Sequence, residues 1–245
     1  MVRLNEIKIT HPKILLYGPA GTGKTALVQT LGERIQIMDL DDGVMTGRTL
    51  KDSFYDQRQL VDVISLKEKD PKRGTVFTEA KIHLNSVTEK CKKGTYPFKA
   101  LCVDSLTSLL DAAMRQVQGA SNHIGQNPQL QEYGLAFNQV ENFLTVMKAL
   151  PLCVIVVAHQ HYIEYDNKID IRVAIPGRKL PGKICSWFDE IWRMQLKNLQ
   201  KGEVDFLIQT KATASTLARS RFNIPNLQSA KKGLPEILKG IGYEF

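Results

Sequence analysis

Residues 18–25 read GPAGTGKT, and this stretch decides the fold of the chain. It matches the pattern GxxxxGK[ST] in full. The apolar run KILLY at 13–17 precedes it and predicts a buried strand, and residues 26–33 after it predict a helix. In that context the glycines let the backbone wrap around an anion, with N–H groups and the helix N-terminus facing phosphate oxygens. The sequence therefore predicts a nucleotide site, formed by Gly18, Pro19, Ala20, Gly21, Thr22, Gly23, Lys24, Thr25 and Ala26.

Two residues of this loop have chemical roles of their own. Lys24 is predicted to reach the β and γ phosphates of ATP, and the Thr25 hydroxyl to ligate Mg²⁺. The other metal ligand is expected at the end of a nearby strand. Asp104 closes the apolar run FKALCVD at 98–104 and fits that place. An aspartate there can instead cap the helix that follows, so this alternative stays open.

Two further groups of polar residues are expected at the same edge of the sheet. The acidic turn MDLDDG at 38–43 offers Asp41 and Asp42 to orient or activate the attacking water, although aspartate is also a common turn former. His159 and Gln160 follow the apolar run LCVIVVA and are candidates to contact the γ phosphate. The alternative is a strand end that simply reaches solvent. The residues therefore predict a catalytic set of Lys24, one of Asp41 and Asp42, and His159 and Gln160.

The distribution of apolar residues predicts the fold class. Short apolar runs alternate with helical patterns, which indicates an α/β fold with a doubly wound, mainly parallel sheet. From about residue 186 the pattern changes to two consecutive strands, at 186–196 and 204–210, joined by a turn typical of a hairpin. We therefore expect a C-terminal antiparallel extension. No linker divides the sequence, so residues 1–245 are predicted to form a single domain, with a basic segment at about 211–245.

The motifs GPAGTGKT, MDLDDG, ALCVDSLTSLL and VIVVAHQH, in this order, resemble the RecA-like P-loop ATPase core. The resemblance covers roughly residues 12–210. It is closest to the short phage-encoded RecA-like proteins implicated in single-strand annealing and recombination. By position, Lys24 and Thr25 match the Walker A ligands of that core, and Asp104 matches the Walker B aspartate.

The resemblance also implies roles outside the metal site. Asp41 matches the catalytic glutamate, from which it differs by one methylene, and residues 159–160 match the sensor strand. Residues 162–183 occupy the place of a DNA-contacting loop, although the same stretch equally suits a β-hairpin packed on a neighbour. The candidate DNA contacts are Tyr162, Tyr165, Arg178, Lys179 and Lys183. RecA-like ATPases commonly take a basic residue from the neighbouring subunit. The candidates are Lys211, Arg219 and Arg221, with a solvated basic helix as the alternative.

The charge distribution bears on the partners. The net charge is +8, and residues 178–245 carry twelve Lys and Arg against six Asp and Glu. A basic surface favours polyanions through phosphate neutralisation. Together with the resemblance, this predicts a Mg²⁺-dependent ATPase that acts on single-stranded DNA in phage-type recombination or annealing, as a homo-oligomer. A single-strand-binding protein is a further candidate partner. The alternatives are a small-molecule kinase and a regulatory P-loop ATPase without DNA binding.

The remaining features bear on the compartment. No apolar run approaches the ~18 residues of a membrane span, and the first ten residues lack the apolar region of a secretory signal. The four cysteines (Cys91, Cys102, Cys153 and Cys185) show neither CxxC pairing nor zinc-like spacing with histidine. These features predict a cytoplasmic protein with structural thiols and no membrane partner, located in the host cytoplasm if the protein is phage-encoded.

Overall fold

The computed structural model describes residues 11–45, 60–70, 72–166, 168–175, 183–199 and 203–243. Its strands are β1 (Lys13–Gly18), β2 (Ile35–Asp39), β3 (Val61–Ser65), β4 (Ala100–Asp104), β5 (Cys153–Tyr165), β6 (Lys168–Val173), β7 (Glu190–Asn198), β8 (Val204–Gln209) and β9 (Leu227–Ser229). Its main helices are α1 (Lys24–Val28), α2 (Val76–Lys92), α3 (Leu106–Ala120), α4 (Leu130–Ala149) and α5 (Leu234–Gly240).

The order of the strands determines where the site lies. Across the sheet the strands run β3-β2-β4-β5-β1-β7-β8-β9, and all pairings from β3 to β7 are parallel. Parallel strands end at the same edge of a sheet, so the segments after β1, β2 and β4 meet there, beside the middle of β5. The predicted mainly parallel sheet is therefore confirmed, and its carboxyl edge carries the candidate site.

Helices cover both faces of this sheet, as a doubly wound fold requires. The helices α2, α3 and α4 pack on one face, where Phe77, Leu109 and Phe143 are buried. The helices α1 and α5 pack on the other face, where Leu27 and Ile237 are buried. Each helix buries one apolar stripe and leaves its other side to solvent, which explains the periodic spacing of apolar residues in the sequence.

The antiparallel extension at the end of the chain is also confirmed. Strands β7 and β8 form an antiparallel pair, and β8 pairs in the same way with β9. The strand predicted at 186–196 begins later, at Glu190, because Cys185–Trp187 form a 3-10 turn before it. The extension stands next to β1, so it borders the phosphate loop on the side away from β5.

Strand β5 is longer than its apolar run. It continues past Ala158 to Tyr165 and pairs with β6 as an antiparallel hairpin, from Gln160 opposite Val173 to Tyr165 opposite Lys168. This part of residues 162–183 therefore forms a β-hairpin, while its packing on a neighbour and its contact with DNA both stay predictions. The hairpin leaves the main sheet at the candidate site, because Gly18 at the end of β1 is paired with the residue before Gln160.

Other expectations concern the chain as a whole. In the described stretches, no helix is both long and apolar enough to cross a membrane. Cys91, Cys102 and Cys153 are free thiols, and the last two are completely buried. The side chain of Cys185 lies outside the described residues. The single domain stays a prediction.

Candidate functional site

The loop between β1 and α1 has the shape that the phosphate motif requires. Gly21 and Gly23 have φ angles of 76° and 79°, a region that residues with a Cβ rarely adopt. At Gly18 the constraint is space, because a Cβ there would lie 2.4 Å from the carbonyl oxygen of Met194 on β7. The turn and the start of α1 bring together all the predicted loop residues, namely Gly18, Pro19, Ala20, Gly21, Thr22, Gly23, Lys24, Thr25 and Ala26.

The ammonium group of Lys24 lies buried inside this loop. Its Nζ donates hydrogen bonds to the carbonyl oxygens of Gly18 at 3.1 Å and Pro19 at 2.7 Å. Burial lowers the pKa of Lys24, while the nearby carboxylates of Asp104 and Asp41 act in the opposite direction. The ammonium therefore stands between the loop backbone and a group of carboxylates, which is where it can reach phosphate oxygens.

Thr25 and Asp104 form the place predicted for Mg²⁺. The Thr25 hydroxyl donates to Oδ2 of Asp104 at 2.5 Å. Burial raises the pKa of Asp104 to about 6; the hydrogen bond from Thr25 opposes this, and the carboxylates of Asp41 and Asp39 add to it. A Cβ on Gly43 would lie 3.1 Å from the Thr25 hydroxyl oxygen, so the glycine keeps this space open. A buried carboxylate crowded by two others fits a cation, and Mg²⁺ commonly uses one or two carboxylates with water and phosphate oxygens.

The capping alternative for Asp104 is wrong. The N-cap of α3 is Ser105, whose hydroxyl oxygen accepts a hydrogen bond from the backbone N–H of Ser108 at 3.3 Å. A serine is a preferred N-cap because its short side chain reaches the free N–H groups of the first turn. The Asp104 carboxylate is therefore available to the metal site.

The carboxylate of Asp41 is held by side chains from two other elements. Its Oδ1 accepts a hydrogen bond from the Ser108 hydroxyl, and its Oδ2 lies 3.1 Å from Nε2 of His159. Burial alone would raise the pKa of Asp41, but hydrogen bonds from His159, Ser108 and Ser105 outweigh burial, and the pKa is lowered. The group is thus ionised at neutral pH and fixed in orientation, as a residue that positions water should be.

The neighbouring Asp42 points elsewhere. Its side chain is 60% exposed and pairs with Lys67 at 2.7 Å. The turn takes its shape from Asp39, whose Oδ1 accepts hydrogen bonds from the backbone N–H groups of Asp41 and Gly43, both at 3.2 Å. Of the two candidates left open by the sequence, Asp41 therefore lies near Asp104 and Asp42 lies at the surface.

His159 and Gln160 lie on β5 beside the phosphate loop. His159 is paired with Gly18 in the parallel ladder. The amide oxygen of Gln160 accepts a hydrogen bond from Nε of Arg193 on β7 at 3.1 Å. Arg193 is buried, and its Nη1 donates to the amide oxygen of Gln195 at 2.8 Å. These contacts connect β5 to β7 across β1, so Gln160 is not a strand end that simply reaches solvent.

No motif pointed to Ser108 or Arg193, although the sequence carries a signal for each. Ser108 follows Ser105 by three residues, so both belong to the N-terminal turn of a helix that begins directly after Asp104. Arg193 interrupts the apolar run IWRM at 191–194, and a charge within a buried strand indicates a specific polar partner.

The candidate DNA contacts are only partly described. Tyr162 lies on the outward half of β5 and is 57% exposed. Lys183 forms an ion pair with a glutamate of α4. The side chain of Tyr165 and the whole of Arg178 and Lys179 lie outside the described residues. The role of these five positions in DNA binding stays a prediction.

The candidates for action on a neighbouring subunit lie after β8. The described residues 211–226 contain no helix, so the alternative of a solvated basic helix is wrong. Arg219 donates to the carbonyl oxygen of Phe188, and Arg221 pairs with Asp189 at 3.0 Å. Both arginines therefore contact the segment that leads into β7. Lys211 is exposed and has no ion pair with a described residue. The role of all three stays a prediction.

The match to one protein family agrees with the phosphate loop. A model of the AAA domain family AAA_24 matches residues 10–222 of the chain. Comparison with curated proteins returns no match. Among solved structures, the chain is similar to the flagellar accessory protein FlaH from Methanocaldococcus jannaschii, at 13% identity and a TM-score of 0.41, over 81% of this chain and 78% of that one.

A second solved structure is an ATPase from the type III secretion system of pathogenic bacteria. The chain is 16% identical to it, with a TM-score of 0.45, over 76% of this chain and 52% of that one. The chain thus spans about half the length of that ATPase.

Proposed function

The chain belongs to the AAA domain family and carries an AAA-type P-loop ATPase domain, and on this premise we propose that it hydrolyses ATP to ADP and phosphate with Mg²⁺. One observation carries the proposal: an ionised carboxylate, Asp41, is held by Ser108 and His159 beside the Thr25–Asp104 pair. A loop that only binds nucleotide needs no such group. Hydrolysis does, because water must be aligned with the γ-phosphorus.

The binding roles follow from the contacts of the free site. Lys24 exchanges its hydrogen bonds to the loop carbonyls for bonds to the β- and γ-phosphate oxygens. The Thr25 hydroxyl and the Asp104 carboxylate, which are hydrogen-bonded to each other in the free site, would hold the metal. Bound Mg²⁺ supplies neutralisation of charge on the phosphate oxygens. The N–H groups of the loop orient the phosphate chain along the start of α1.

In the hydrolytic step, Asp41 acts on the attacking water. Its carboxylate orients a water molecule and accepts one proton from it as the water oxygen bonds to the γ-phosphorus. The bond from the γ-phosphorus to its bridging oxygen breaks, and ADP and phosphate leave. His159 and Ser108 keep the carboxylate ionised and aimed during this step, since both hydrogen-bond to it.

Three variants test the proposal. Lys24→Ala should abolish ATP turnover, because the buried ammonium is the main cation of the loop. Asp41→Asn should lower kcat by about 10²- to 10⁴-fold, the usual contribution of a general base, with little change in nucleotide affinity. Asp42→Asn is the matched control, since it removes the same charge from the same turn at an exposed position. Equal activity of the two asparagine variants would overturn the role of Asp41.

The choice of ATP over GTP is part of the proposal, and one stretch of sequence argues for testing it. Residues 167–170 read NKID, which matches the NKxD spacing with which some GTPases read guanine. Its last three residues begin β6, in the hairpin that β5 forms beyond His159. Turnover of ATP and GTP should be compared at equal concentration. A strong preference for GTP would replace ATP in the proposal.

Action on single-stranded DNA, in phage-type recombination or annealing, is the second candidate. The basic excess of residues 178–245 favours it, and Lys211, Lys232 and Lys239 are exposed there. The hairpin of β5 and β6 gives weaker support for DNA binding, because Glu164, Asp166 and Asp170 make it acidic. Affinity for an oligonucleotide should fall steeply with salt if phosphate contacts hold it. ATP turnover that is the same with and without DNA would favour a regulatory ATPase.

A homo-oligomer belongs to the same candidate function, as does a single-strand-binding protein partner. Arg219 and Arg221 already have partners within the chain, so Lys211 is the candidate with the freest side chain. Mixing Lys24→Ala protein with Lys211→Ala protein tests action between subunits. Recovered turnover in the mixture supports a shared site, since each variant supplies what the other lacks. A strictly additive activity argues against it.

A further inference from the structure

The groups that handle the terminal phosphate all lie on one side of β1. Asp104 ends β4, Asp41 follows β2 and His159 belongs to β5, and these three strands stand on the same side of β1 in the sheet. Lys24 and Thr25 hold the phosphates above β1 itself. If the γ phosphate points toward β4 and β2, the rest of the nucleotide leads the opposite way, toward β7 and β8. This inference rests on the proposed nucleotide site.

The strands on that other side extend past the end of β1. Arg193 of β7 is paired with Tyr17, the residue before Gly18, so the rest of the β7–β8 hairpin rises beside the phosphate loop. The ring of Phe206 on β8 packs against the loop, because a Cβ on Gly23 would lie 3.5 Å from it. The hairpin is therefore a direct neighbour of the phosphate site.

The hairpin shows an apolar surface next to this contact. Leu196 of β7 lies directly opposite Phe206 in the antiparallel ladder, and Val204 lies two residues before it. Cross-strand partners and alternate residues share a face, so the three side chains form one surface, which we call the apolar wall. Leu196 is 48% exposed and Val204 is 37% exposed.

We propose that the apolar wall, formed by Leu196, Val204 and Phe206, binds the base of the nucleotide whose phosphates lie on residues 18–25. A nucleotide is highly charged at one end and flat and aromatic at the other. The chain offers the same two chemistries side by side, a phosphate cradle and an exposed apolar surface with an aromatic ring. Ligand sites commonly combine such apolar lining with a few polar groups that fix orientation.

The chemistry of the wall also predicts its selectivity. Its three side chains offer methyl groups and a ring, and none of them donates or accepts a conventional hydrogen bond. The wall therefore recognises a flat ring system by contact area and reads the polar edge of the base weakly. Purine nucleotides should bind more tightly than pyrimidine nucleotides. Any discrimination between adenine and guanine must come from other residues.

The test separates the base from the phosphates. Calorimetry with Mg²⁺ compares ADP, which carries a base, with inorganic pyrophosphate, which carries only the two phosphates. Leu196→Ala and Phe206→Ala should weaken ADP binding, by about tenfold for the aromatic residue, as for other stacked bases. Pyrophosphate affinity should stay at the wild-type value. Because Phe206 touches the loop, Leu196→Ala is the cleaner variant.

Leu227→Ala is the matched control. Leu227 is also 48% exposed, but it is paired with Gln209, which faces the opposite side of the sheet from Phe206. Its truncation should leave both affinities unchanged. Wild-type ADP affinity in both Leu196→Ala and Phe206→Ala would overturn the apolar wall. Equal losses for ADP and pyrophosphate in both variants would also overturn it. Failure of the wild type to bind either ligand would instead overturn the proposed function.

Discussion

The carboxyl group of Asp104 should make the ligand-free protein less stable at neutral pH. Burial raises its pKa from 3.8 to about 6. A carboxyl with a raised pKa contributes stability that is present below the unfolded value and is lost as pH rises through the folded value. The gap between the two values corresponds to about 3 kcal/mol at pH 7.5. Asp104→Asn keeps the shape of the side chain and can still accept the Thr25 hydroxyl. We therefore expect it to raise the free energy of unfolding by roughly 2 to 3 kcal/mol.

The assay is urea unfolding in EDTA without nucleotide, at pH 7.5 and at pH 5. At pH 5 most of the folded wild type already carries the proton, so the gain from Asp104→Asn should fall to about half. Asp42→Asn is the control, because this exposed group should change the free energy of unfolding by less than about 0.5 kcal/mol. The same Asp104→Asn protein should lose Mg²⁺-dependent nucleotide binding. If Asp104→Asn does not raise the free energy of unfolding at pH 7.5, or raises it equally at both pH values, the reasoning is refuted.

Three other perturbations have defined outcomes. Ser108→Ala removes a hydrogen bond that lowers the pKa of Asp41, so the acidic limb of the pH profile of kcat should move to higher pH. Ser108→Thr keeps a hydroxyl and should restore the wild-type profile. An unchanged profile in Ser108→Ala would argue against a positioning role. Lys13 is buried and its Nζ donates to the carbonyl oxygens of Leu150 and Leu152 between α4 and β5, and burial lowers its pKa to about 8. The charge of Lys13 thus opposes folding below that pH. As the pH rises from 7 to 9.5, the free energy of unfolding of the wild type in urea should increase by about 2 kcal/mol relative to that of Lys13→Met. A difference between the two proteins that stays constant over this range would contradict the reasoning. Gly18→Ala forces a Cβ against the Met194 carbonyl, so calorimetry should show no nucleotide binding, and normal binding would disprove the close approach.

The buried strands were predictable because their environment dictates their composition. A strand covered by helices on both faces is apolar at nearly every position, as β1, β4 and the first half of β5 are. The outward half of β5 could not be predicted in this way, because β6 and solvent surround it. Its sequence, HYIEY, mixes polar and apolar residues without a regular period, so it suits a hairpin as well as a loop.

The candidate site likewise contains residues that the sequence could predict and contacts that it could not. The proximity of Lys24, Thr25 and Asp104 could be predicted because the phosphate-loop motif and the end of an apolar strand fix their places at the same edge of the sheet. The contacts of Ser108 and Arg193 could not. Ser108 meets Asp41 across 67 positions of sequence, and Arg193 meets a glutamine across 33. Only the folded sheet brings such distant positions together.

The unbroken length of β5 has a mechanical consequence. It is one strand of 13 residues, roughly 40 Å long at the usual rise per residue. It passes the phosphate loop at His159 and ends in the hairpin beyond the sheet, without a hinge between them. Because the strand continues into the hairpin without a turn, we expect a displacement of its backbone at His159 to be passed on to residues 160–165.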